Sequence, residues 1–150
     1  MPALRGKADI SYNLQIEAYI RLRYVDDMKL QDCIPKTKHD CDAIEQATSV
    51  SFPLINPIIP NLLEWLQDAN WPVAHPTAHL LTQAGPEIVP HIRQVLSSSD
   101  SIWKFWTLKL LVINLQPNLL EELRPDIMKL TSTSIQDDVC IIAKEILSCS

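Results

Sequence analysis

Three segments of the sequence share one pattern, and this recurrence limits the fold more than any other feature. Each segment has a proline, an apolar residue two positions later, a polar turn, and a second apolar stretch that ends in two aliphatic residues. The prolines, Pro60, Pro90 and Pro125, are 30 and 35 residues apart. Because proline near the start of a helix removes no intrahelical hydrogen bond, each is interpreted as opening a helix–turn–helix unit. Repeats of this length are typical of stacked helix pairs.

The spacing of apolar residues from residue 57 onward predicts helices throughout. These residues recur at intervals of three and four, the period of a helix with one buried face. The last two helices are predicted over about 117–130 and 135–148, and a short helix capped by Asp40 precedes the repeats. The predicted fold is therefore all-α, with HEAT-like stacked helix pairs forming an α–α superhelix and an N-terminal helical extension.

The segment 101–115 stands out because it is apolar nearly all round. A helix of this kind is usually buried on most sides, so we predict it to be the central helix of the core. Asp100 is the predicted N-cap of this helix. Trp103 and Trp106 are three residues apart and share one helix face, which favours a role in core packing.

Residues 10–25 fit two interpretations. Apolar residues at every even position from 10 to 24 follow strand periodicity, whereas the abundant Leu, Gln, Glu, Ala and Arg favour a helix. A helix is favoured, since no other strand is predicted, and a strand would need a partner strand from a second copy of the chain. The predicted organisation is an extension over 1–31 and a HEAT-like repeat domain over 32–150, with a homodimer through residues 10–25 as an open alternative.

Three motifs carry a resemblance to a known family: IPKTKHD at 34–40, LLEWLQDANWPVA at 62–74 and SDSIWKFW at 99–106. Through them, residues from about 32 to 149 resemble a small HEAT-like family of uncharacterised domains known from bacteria and fungi. The resemblance implies an α-helical, superhelical repeat fold. It implies no reaction, because the family has no assigned activity that could be carried over to these positions.

The composition argues against several classes of protein. A formal net charge of −5 argues against a nucleic-acid partner, which requires a basic surface. With two glycines, neither a P-loop nor a dinucleotide-binding fingerprint can be built. No apolar stretch reaches the ~18 residues of a membrane span, and no signal peptide is recognisable. The four cysteines form no CxxC pair, so free thiols in the reducing cytoplasm are expected.

The turn within residues 62–76 holds the candidate binding residues. Asn70 is the predicted N-cap, with Trp71 and Pro72 as the first helical residues after it. Trp65 and Trp71 fit two interpretations: they could line an aromatic groove for a peptide or apolar ligand, or fill gaps between stacked helices. The sequence is compatible with both interpretations.

Charged and titratable residues near this turn predict little chemistry. His75 and His79 are four residues apart on one helix face, but no carboxylate completes a zincin motif, so no metal is expected. Glu64 and Asp68 share a helix face and are interpreted as a solvated acidic edge.

The predicted function is that of a non-enzymatic interaction or scaffold module that binds a protein or peptide on a stacked-helix surface. The alternative is a small enzyme or small-molecule-binding protein with a pocket near Trp65, Trp71 and His75. No catalytic residue and no cofactor is predicted. The candidate binding residues are Glu64, Trp65, Asp68, Trp71 and His75.

Overall fold

The computed structural model describes residues 30–133 and 136–149, together with Gln15. All regular structure in these residues is helical and none of it is strand, which confirms the predicted all-α class. The predictions for residues 1–29, including the dimer contact through residues 10–25, lie outside the described residues except at Gln15. They stay predictions.

The α-helices follow a helical turn at residues 30–32 and are joined by short connections. In chain order they are α1 (Cys41–Val50), α2 (Ile59–Leu63), α3 (Ala74–Leu81), α4 (Val89–Ser97), α5 (Ser101–Trp106), α6 (Pro117–Thr131) and α7 (Asp138–Cys149). Short 3₁₀ turns flank several of them, at Asn56–Ile58, Glu64–Leu66 and Pro86–Ile88. Helix α5 continues directly into a π-helical turn, Thr107–Leu111, and a 3₁₀ turn, Val112–Asn114.

Both predicted aspartate caps are confirmed. Asp40 accepts a hydrogen bond from the backbone N–H of Ala43 at 3.4 Å, and Asp100 accepts one from Trp103 at 3.0 Å. Each carboxylate satisfies a helix-start N–H that has no partner within the helix. Such a cap contributes about 1 kcal/mol to the stability of the helix.

The segments around Pro60 and Pro90 begin in the same way. In each, a 3₁₀ turn that contains a proline leads into an α-helix, and Pro60 and Pro90 are the second residues of α2 and α4. The interpretation of Pro125 is wrong, because it lies inside α6, a helix that begins at Pro117. The apolar face of α6 extends on both sides of Pro125 and packs against α4 and α7. This burial offsets the free-energy cost of a proline inside the helix.

The predicted central helix is buried over part of its length. Leu108, Leu111 and Val112 in its later turns are fully buried, and the π-helical turn packs against α3 and α7. Burial on most sides is wrong for α5, where Ile102 is 64% exposed and the aromatic side chains are half-buried. Helix α5 contacts α4 and α7, and this packing leaves one of its faces open to solvent.

A single core connects the helices. Buried aliphatic side chains from several of the described helices meet in it, among them Ile59, Leu63, Leu81, Ile92, Leu111, Leu119 and Ile146. In the described residues, α6 and α7 pack closely as a pair, and α3 contacts α1, α2 and the π-helical turn.

Candidate functional site

The turn before α3 is organised by Asp68. Its Oδ1 accepts a hydrogen bond from the backbone N–H of Asn70 at 2.8 Å, and its backbone carbonyl accepts one from Trp71 at 3.1 Å. The predicted cap at Asn70 is therefore wrong, since α3 begins at Ala74 and its preceding residue makes no side-chain cap. An aspartate side chain that bonds the backbone two residues on stabilises a turn, and here it displaces the helix start by several residues.

Trp65 and Trp71 pack against each other at this turn. Their ring centroids are 5.7 Å apart with an interplanar angle of 66°, an edge-to-face pair. Both side chains are half-buried and contact the core, and neither indole N–H is hydrogen-bonded to another described residue. The pair thus fills a gap between helices and keeps part of its surface accessible, so the aromatic-groove interpretation stays a prediction.

The two carboxylates of the predicted acidic edge have different surroundings. Glu64 is exposed, whereas Asp68 is half-buried and holds the turn. Neither is paired with a basic side chain among the described residues. An acid–base role needs a carboxyl group positioned next to a reacting group, and these two are arranged as structural and solvated groups instead.

His75 lies in a separate surface pocket of about 470 Å³ between α3 and the π-helical turn. The pocket is lined by His75, Ala78, His79, Thr82, Lys109, Leu110 and Asn114, and neither Trp65 nor Trp71 is part of the lining. The predicted pocket shared by Trp65, Trp71 and His75 is therefore not the one that His75 lines. Within the described residues, no group of three or more His, Cys, Asp or Glu side chains is positioned to hold a metal ion.

The cysteines differ in accessibility. Cys33 is fully buried, and this burial raises the pKa of its thiol, with the negative charge of Asp32 adding to the effect. A thiol in such surroundings is a poor nucleophile because little thiolate is present near neutral pH. Cys149 is exposed at the end of α7.

A second cleft lies where the start of α5 meets the start of α7. It has a volume of about 300 Å³ and is lined by Ser101, Ile102, Phe105, Trp106, Asp137, Asp138 and Val139. Phe105 and Trp106 form an edge-to-face pair with centroids 4.8 Å apart. Ile102, which is largely exposed, precedes them by three and four residues, so all three share one helix face. We call this site the α5/α7 cleft.

Two hydrogen bonds fix the orientation of the α5/α7 cleft. Asp100 caps the first turn of α5, and the Trp103 indole Nε1 donates to the Leu63 carbonyl at 2.8 Å. The Trp103 bond ties α5 to the end of α2 and leaves the face of Ile102 and Trp106 open. Sequence reasoning missed this site because it assigned Trp106 to the core. The useful signal was an isoleucine and two aromatic residues at i, i+3 and i+4 directly after a cap.

Taken together, the described residues form a small all-helical domain whose surface includes the apolar α5/α7 cleft and the pocket that contains His75. A family model described as "Domain of unknown function (DUF5071)" matches residues 33–147. The chain belongs to this family. No curated protein matches the sequence. Among the described residues, no helix is both long enough and apolar enough to cross a membrane.

Proposed function

We propose that this domain is a non-enzymatic interaction module that binds a protein or peptide through the α5/α7 cleft. The observation that carries the proposal is the solvent-exposed Ile102 beside the half-buried Phe105 and Trp106. A cleft of about 300 Å³ is large enough for one bulky apolar side chain of a partner. The proposed occupant is a segment that inserts such a side chain.

The energetics favour an occupant of this kind. Covering apolar surface contributes roughly 25 cal/mol for each Å² removed from water. Tryptophan in a pocket is often among the few residues that supply most of the binding energy at an interface. Aromatic and branched side chains on a rigid helix lose little conformational entropy on binding, since Asp100 and Trp103 already hold α5 in place.

The proposal includes a HEAT-like arrangement of the helices of this domain. The recurrence of a proline-containing 3₁₀ turn followed by a helix, at α2 and again at α4, supports stacked units of one kind. Stacked helix pairs characteristically present extended binding surfaces, which fits a docking role.

A random peptide library displayed on phage and selected against the full chain tests the proposal. We expect enriched peptides that carry a large apolar side chain and lose at least about tenfold in affinity on I102S or W106A, which corresponds to roughly 1.4 kcal/mol. M128S is the matched control, because Met128 is 53% exposed on α6 and does not line the α5/α7 cleft. Equal binding to I102S and the wild type, or no enrichment, would contradict the proposal.

A small-molecule-binding role is the second candidate, supported by the pocket lined by His75, His79 and Lys109. A thermal-shift screen against a panel of carboxylates and phosphate esters tests it, with H75Q/H79Q as the reference variant. We expect a ligand that acts here to raise the melting temperature of the wild type by a few degrees and to leave that of the variant unchanged. A shift of equal size in both proteins would argue against this pocket.

A further inference from the structure

The rim of the α5/α7 cleft is acidic. Asp137 and Asp138 line the cleft on the α7 side, and both are exposed. Asp100, also exposed, precedes the lining residue Ser101 on the α5 side. The α5/α7 cleft is therefore apolar inside and acidic at its rim.

These rim carboxylates have no basic partner within the chain that the structure describes. The ion pairs there are Arg93 with Asp126 and Arg124 with Glu121, which lie on α4 and α6. Asp137 Oδ1 accepts a hydrogen bond from the Cys140 backbone N–H at 2.8 Å, which fixes the carboxylate at the start of α7. A fixed carboxylate interacts with an incoming cation without first losing side-chain freedom.

The basic residues of α5 and of the turn that follows are not among the residues that line the cleft. Lys109 Nζ lies 5.7 Å from the centroid of the Phe105 ring, but Lys109 lines the His75 pocket. Lys104 lies on α5 and is not part of the cleft lining. The charged side chains that line the cleft are consequently the carboxylates of Asp137 and Asp138.

From this charge pattern we infer that the partner of the α5/α7 cleft is a segment with a bulky apolar side chain next to Lys or Arg residues. The inference rests on the proposed function and adds the chemistry of the partner to it. The apolar side chain inserts beside Ile102 and Trp106, and the basic side chains pair with Asp137 and Asp138. Charge pairs at the rim of an interface set specificity and association rate more than total affinity. Many partner segments have an apolar side chain that could fill the cleft. The acidic rim therefore favours those segments whose flanking residues are basic.

Three synthetic peptides with the same phenylalanine–leucine core and flanks of lysine, serine or glutamate test the inference. Fluorescence anisotropy with the full chain measures each affinity at low and at high salt. We expect the lysine peptide to bind about tenfold more tightly than the serine peptide at low salt, and the glutamate peptide to bind most weakly. High salt narrows these differences because it screens exposed charges.

Variants that remove charge show which carboxylates of the protein cause the preference for the lysine peptide. D137N/D138N is expected to remove most of the preference for lysine, and asparagine at 137 preserves the helix cap. D42N/E45Q removes the same charge from exposed positions on α1 and is expected to leave the preference intact. Equal affinities for the three peptides, or equal effects of the two double variants, would overturn the inference and leave the proposed function standing. If none of the three peptides binds, the proposed function fails with it.

Discussion

Replacing Trp103 with alanine is expected to lower the free energy of unfolding by about 3 kcal/mol. Trp103 is half-buried against the core, and its indole N–H donates to the Leu63 carbonyl across 40 residues of sequence. The substitution therefore removes packing between α5 and α2 together with the hydrogen bond that joins them. Urea denaturation followed by far-ultraviolet circular dichroism measures the loss as a lower midpoint at unchanged slope.

Two further variants separate the contributions to this effect. W103F retains an aromatic ring but has no indole N–H, so it should lose about 1 kcal/mol, the usual net value of a hydrogen bond. I102A changes the neighbouring exposed side chain and should stay within about 0.5 kcal/mol of the wild type. If W103A and I102A had the same free energy of unfolding, the hydrogen bond to Leu63 would not stabilise the fold.

Replacing Pro125 with alanine is expected to raise the free energy of unfolding by about 2 kcal/mol. Pro125 is exposed and lies inside α6, where it cannot donate a hydrogen bond to the carbonyl of Glu121. Glu121 is exposed, so water can reach the carbonyl that Pro125 leaves without a donor. A hydrated carbonyl costs less than a buried one, so the expected gain is smaller than the full ~3 kcal/mol difference between proline and alanine in a helix interior.

Pro117 provides the matched control for this prediction. It is the first residue of α6, where a missing N–H removes no intrahelical bond, so P117A should change stability by no more than about 0.5 kcal/mol. Guanidinium denaturation of both variants gives the comparison. A P125A protein less stable than the wild type would mean that the packing of α6 depends on the proline itself.

Local sequence signals predicted the elements of the fold well. The aspartates before α1 and α5 cap those helices, because a short carboxylate side chain reaches the free N–H groups of the next residues in almost any context. The helices that the apolar periodicity predicts over about 117–130 and 135–148 correspond to α6 and α7, because the apolar face of an amphipathic helix must be buried. These signals are local, so they can be read without knowing the neighbours.

The candidate site was less predictable. Asp68 and Asn70 are both good turn and cap residues, and the sequence alone does not decide which side chain bonds the backbone. The sequence predicts that Trp106 lies in the core, because its helix is apolar on nearly every side. Whether such a helix is covered depends on which other helices pack against it, and those contacts come from distant parts of the chain.

The sequence by itself determined that this protein is helical and where several of its helices begin, because caps, prolines and apolar periods act within a few residues. Only the tertiary structure decided that Trp103 is anchored to Leu63 while Ile102 and Trp106 line an open cleft. The physical reason is that burial is a property of the whole packing arrangement. An apolar side chain favours burial equally in the core and at a surface cleft. The helices that pack around it decide whether it is covered.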